Sequence, residues 1–180
     1  MRLTVWAIAA FGLSPLPLAL AQQSPTQPEQ GFEQHRAHEH GAVSINLALD
    51  GNELVVELEA PAINVLGFER APRDAAERAA AAAIESWLRS ATAILGVPAA
   101  AACRKRAVEF NGPRWDDAAG HADYDVRFTY DCRNPAALSW AELWLLRRLK
   151  NITRVEANVL TATRQERVTV SGADSRVALR

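Results

Sequence analysis

The chain has 180 residues, of which 49% are hydrophobic and 23% charged, and its formal net charge is −1. Those proportions are those of an ordinary globular protein, too apolar for a disordered chain. Such a near-balanced charge gives no footing for a nucleic acid or an anionic membrane as partner.

The first residues read as a secretory signal peptide. Arg2 supplies the positive start, and Leu3 to Leu13 is almost continuously apolar. Pro15 and Pro17 break that run before Ala19-Leu20-Ala21, a small-x-small cleavage site that places the mature start at Gln22. The apolar run is too short for a membrane span, and no cysteine follows the cleavage site to carry a lipid. An exported chain is expected, with residues 1–21 as the signal peptide. Residues 22–37 are rich in Gln, Pro, Ser and Glu and read as a flexible, histidine-containing linker. Residues 38–180 are expected to form a single domain.

Three of the four histidines fall within six positions, at His35, His38 and His40. Imidazole is the commonest metal-binding side chain, and zinc accepts nitrogen, sulfur and carboxylate ligands. His38 and His40 are two residues apart, so in extended backbone they project from one face. His35 precedes them in the linker and is expected to matter less, because ordering that arm costs conformational entropy.

From Gly41 the pattern becomes that of a half-buried strand. Val43, Ile45, Leu47 and Leu49 alternate with Ser44, Asn46, Ala48 and Asp50. Asp50-Gly51-Asn52 is strong turn chemistry, and Leu54, Val56 and Leu58 then alternate up to Pro61. The pair predicts a β-hairpin with the histidine run at one end. Next comes the segment Pro61-Ala62-Ile63-Asn64-Val65-Leu66-Gly67-Phe68-Glu69.

With the His-Glu-His-Gly start, the hairpin, this Pro-Ala-x-Asn-x-x-Gly-Phe-Glu segment and two downstream cysteines, the chain resembles the ZrgA-type periplasmic zinc-uptake proteins. The resemblance runs from about His38 to the C-terminus. It implies a periplasmic location, zinc as cargo, and a metal-uptake transporter or its binding protein as partner. Two departures reduce the ligand count. Family members commonly carry His after the Gly-Phe-Glu segment, where this chain has Arg70. They also often have a long His- and acid-rich loop, which here is only Asn111 to Asp123 with the single His121.

Pro72 to Leu95 reads as one long helix. Asp74 and Glu77 fit its N-terminus, an alanine run follows, and Ile84, Trp87, Leu88, Ala91 and Leu95 form an apolar stripe before Gly96 and Pro98. Cys103 and Cys132 are the only cysteines, and an isolated pair in an exported chain reads as a disulfide, with zinc ligation the alternative. Tyr124, Val126, Phe128, Tyr130 and Cys132 alternate as a strand, with Cys103 to Phe110 its antiparallel partner. Leu138 to Lys150 has helix-forming composition, while Trp140, Glu142 and Trp144 also fit a two-residue period. The resemblance favours a strand near Trp140 to Leu145 followed by one helical turn, and strands at Val155–Val159 and Val168–Val170 come next. The expected architecture is α+β, a largely antiparallel β-sheet covered by one long α-helix.

Three functions compete. The first is a periplasmic accessory protein that captures or buffers Zn2+, or another divalent transition metal, through His35, His38, His40 and His121. The second is a hydrolase with catalytic zinc and Glu39 as base. The run lacks the helical H-E-x-x-H spacing this needs, and no G-x-S-x-G elbow is present, so no enzyme is expected. The third is an exported module that binds no metal, in which Gly67 supplies unusual backbone angles, Phe68 packs in the core and Glu69 caps or pairs.

Overall fold

In a computed structural model that describes residues 39–90, 94–116, 122–172 and 175–180, the alternating segment after Gly41 forms the expected hairpin. Strand β1 (Ala42–Asp50) lies antiparallel to β2 (Glu53–Pro61), and only Gly51 and Asn52 join them. Gly51 has φ 57°, a left-handed value that costs other L-residues about 1–2 kcal/mol and glycine almost nothing. Val43, Ile45 and Leu47 share the buried face with Leu54, Val56 and Leu58.

Two helices follow, α1 (Ala62–Leu66) and α2 (Ala75–Leu88), then the two-residue β3 (Leu95–Gly96). Strands β4 (Cys103–Asn111) and β5 (Asp123–Cys132) pair antiparallel. The chain continues through β6 (Trp140–Leu143), the single turn α3 (Leu145–Arg148), β7 (Arg154–Leu160), β8 (Gln165–Ser171) and β9 (Arg176–Ala178). A six-stranded sheet runs in the order β4-β5-β2-β1-β7-β8, and a smaller sheet in the order β3-β6-β9. Every described pairing is antiparallel except β1 with β7. One core serves both sheets: Tyr124 and Phe128 of β5 and Val155 and Ala157 of β7 join Leu143, Leu145 and Leu179.

The expected α+β architecture is corrected here. The described residues are 45% strand and 22% helix, in nine strands, two sheets and short helices, and no long helix covers a sheet. Rather than running from Pro72 to Leu95, the helix is α2, 14 residues long, with only Ala81 and Leu88 buried. It starts where the capping signal predicts, since the Asp74 side chain accepts a 2.9 Å hydrogen bond from the Glu77 N–H. Its alanines carry helix propensity but too little apolar surface to hold a helix down on a sheet. Only Ile84, Trp87 and Leu88, near its end, reach the core. Leu95, which completed the apparent helical stripe, instead pairs with Leu143 in the small sheet. Gly96 beside it lies so close to Trp144 that a Cβ there would sit 2.5 Å from the indole. Tertiary pairing overrides the helical period at that point.

Cys103 and Cys132 stand directly opposite each other in the β4–β5 ladder and form a disulfide across a separation of 29 residues.

Candidate functional site

The histidine run enters the fold through a turn whose backbone is held on every side. Gly41 precedes β1 with φ 81°, and the Ala42 N–H donates back to the Glu39 carbonyl at 3.1 Å. Strand β1 therefore begins at Ala42, and His40 stands in the turn ahead of it, exposed. His40 thus precedes β1 rather than lying within it.

Asn64 of α1 makes the clamp. Its side chain is 2% exposed. The amide donates to the carbonyls of Glu39 (3.0 Å) and Ala42 (2.7 Å), and its oxygen accepts from the Gly41 N–H (2.8 Å). A buried amide satisfied entirely by one turn fixes that turn's shape. From the other side, the Gly41 carbonyl accepts from the N–H groups of Thr153 (2.8 Å) and Arg154 (3.1 Å) and from the Thr153 hydroxyl (3.2 Å). A Cβ on Gly41 would sit 2.6 Å from that hydroxyl, so glycine is required by both angle and space.

Glu39 is also engaged. Its carboxylate pairs with the Arg154 guanidinium, and that hydrogen bond holds the carboxyl below its usual range. Arg154, Thr153 and Asn64 are the site residues that sequence reasoning missed. Only Asn64 carried a signal, as the Asn of the motif quoted for the family resemblance.

His35, His38 and His121 lie outside the described residues. Ala122, which follows His121, is described, and its carbonyl accepts from the Ala62 N–H at 2.7 Å. The chain after His121 thus joins the same α1 that clamps Gly41. Among the described residues, no three His, Cys, Asp or Glu side chains are grouped to hold a metal. His40 and Glu39 are nonetheless of the donor types zinc accepts.

The Gly-Phe-Glu segment leads away from this turn. Gly67 ends α1 in the left-handed conformation at φ 86°, and a Cβ there would lie 3.5 Å from the Asn151 side chain. Phe68 is half-buried, its ring 6.2 Å from that of Trp115. Arg70, standing where the resemblance predicts histidine, lies 4.9 Å over Phe68 and makes two 2.7 Å hydrogen bonds to Glu77. This arginine staples the segment to the first turn of α2, a structural task in place of a ligand. The Arg70 bonds, and then the Arg73 N–H, draw the Glu77 carboxyl down to about 2. A depressed carboxyl stabilises the fold fully above its unfolded value and ceases to do so as pH falls through its folded one. Acid unfolding followed by circular dichroism is therefore expected to show a stability loss between about 4.5 and about 2 that Glu77→Gln reduces.

An aromatic cleft of about 290 Å³ lies elsewhere, lined by Tyr130, Trp140 and Trp144. Its Glu142 is paired with Arg147 and lies 3.9 Å from Arg176, so that carboxylate is already matched by cations of the fold.

The family model described as "ZrgA family zinc uptake protein" matches residues 37–179. Comparison with the curated proteins gives no match.

Proposed function

Because the chain belongs to the ZrgA family of zinc uptake proteins, we propose that it is an exported accessory protein that captures or buffers zinc and passes it to an uptake system, with no catalytic role. The ligands are His40, together with His38, His35 and His121. The observation that carries this reading is the clamped turn: Asn64, Thr153 and Arg154 hold residues 39–42 while the His40 side chain remains exposed. Holding the backbone in advance removes part of the entropy cost of gathering ligands around an ion. The Gln- and Pro-rich composition before the turn suits ligands that surrender the ion again.

Export is supported by the Cys103–Cys132 disulfide, since such bonds persist in oxidising compartments, and by the signal-peptide pattern of residues 1–21. No helix among the described residues is long and apolar enough to cross a membrane. The partner of this reading is a metal-uptake transporter or its binding protein.

Calorimetric titration of the untagged mature protein tests the proposal. Wild type is expected to bind about one zinc ion at neutral pH. His38→Ala/His40→Ala should abolish that binding, and mild acid should weaken it in wild type as protons compete for the imidazole nitrogens. Unchanged affinity in the double variant would place the ion elsewhere, and no binding by wild type would favour the metal-free module.

A further inference from the structure

Arg154 faces two carboxylates with one nitrogen. Its Nη2 pairs with Glu39 and lies 3.7 Å from the Oε1 of Glu156. Glu156 is two residues along β7, so it projects from the same sheet face as Arg154. The root of the arginine is fixed, because its backbone N–H donates to the Gly41 carbonyl. The guanidinium therefore hangs over the His40 turn with a second acceptor within a small movement.

We infer that Glu39 is a ligand of the captured ion held in reserve by Arg154, which yields it by turning to Glu156. The inference rests on the reading that the ion is captured at the His40 turn. Glu39 is the immediate neighbour of His40, and a carboxylate oxygen is an ordinary zinc donor. A divalent ion arriving beside His40 repels the guanidinium and attracts the carboxylate more strongly than a single positive charge does. The Glu39 side chain is 61% exposed, and ion pairs in such settings are weak and readily exchanged. Movement of Arg154 onto Glu156 leaves no charge stranded. With the ion gone, Glu39 returns to Arg154 and the turn keeps its anchor. Arg154 thus competes with the metal for a ligand, which lowers affinity and speeds release, as delivery to a partner requires.

The test is zinc titration of the untagged mature protein in a set of variants, each first checked for unchanged thermal unfolding. Glu39→Gln should weaken binding and Arg154→Gln should tighten it, each on the order of tenfold, the scale of changes made around metal ligands. Glu156→Gln removes the alternative acceptor and should weaken binding. That effect should vanish when Arg154→Gln is also present, a coupling that a merely structural role for Glu156 would not produce. Wild-type affinity in both Glu39→Gln and Arg154→Gln would overturn the exchange, as would a Glu156→Gln effect that persists without Arg154. If His38→Ala/His40→Ala still abolishes binding in that case, the capture site stands and only the exchange falls. If wild type binds no zinc, both fall.

Discussion

Reduction of the Cys103–Cys132 bond is expected to cost the fold about 3–4 kcal/mol, the chain-entropy value for a closed loop of roughly thirty residues. Among the described residues, strand β4 is an edge of the six-stranded sheet with β5 its one neighbour there, so the bond ties a peripheral strand to an interior one at the head of their ladder. Urea unfolding of the oxidised and reduced protein, followed by tryptophan fluorescence, measures the difference. A change below about 1 kcal/mol would mean that the unfolded chain gains little freedom when the bond opens. Zinc affinity of the folded protein should not change. Cys132 lies at the hairpin-turn end of the sheet, its N–H donating to the Asn52 carbonyl. His40 precedes the opposite end of β1, about 30 Å away along an extended strand. Gain of a zinc site on reduction would instead mark the cysteines as ligands.

Much of the sheet was legible because its inner face alternates strictly. The hairpin around Gly51 and Asn52, the cysteine-bearing β5, and the β7–β8 pair all carry a period of two that survives reading in isolation. The helix is shorter than its sequence pattern because a run of alanines signals propensity without signalling burial. Leu95 then fitted the helical stripe by spacing while belonging to a strand. Two and three residues are too few to show a period, which hid β3 and β9. The parallel pairing of β1 with β7 joins segments more than a hundred residues apart, and nothing local encodes it.

The site divides in the same way. A cluster of imidazoles is visible as composition, so the histidine run stood out at once. Its anchors were not, because they are contacts across the fold. Asn64 is 23 residues from Gly41, and Arg154 is 115 from Glu39. Thr153 shows no local sign of its role, since its backbone and hydroxyl both serve Gly41 from across the fold. Arg70 departs from the resembling family at a position where a ligand was expected, and the fold spends it on Glu77.

Asn64→Ala should be the most informative change at the site, with an expected loss of about 2–3 kcal/mol in stability. The substitution removes three hydrogen bonds at once and leaves the Gly41 N–H and the Glu39 and Ala42 carbonyls without their side-chain partner. It also empties part of a position that is 2% exposed, so no solvent stands ready to replace the amide. Asn64→Asp should do worse, since it keeps the acceptor for Gly41 but turns a carboxylate oxygen toward two carbonyls. The Thr153 and Arg154 bonds to Gly41 remain in both variants, so β1 still pairs with β7 and the fold survives. What changes is the preorganisation of the turn. Ordering His40 must then be achieved on binding, and zinc affinity should fall along with stability. Urea unfolding and zinc calorimetry on the same samples separate the two effects. A stability loss with unchanged zinc affinity would show that the clamp serves the fold alone, and that the ion is gathered without help from a fixed turn.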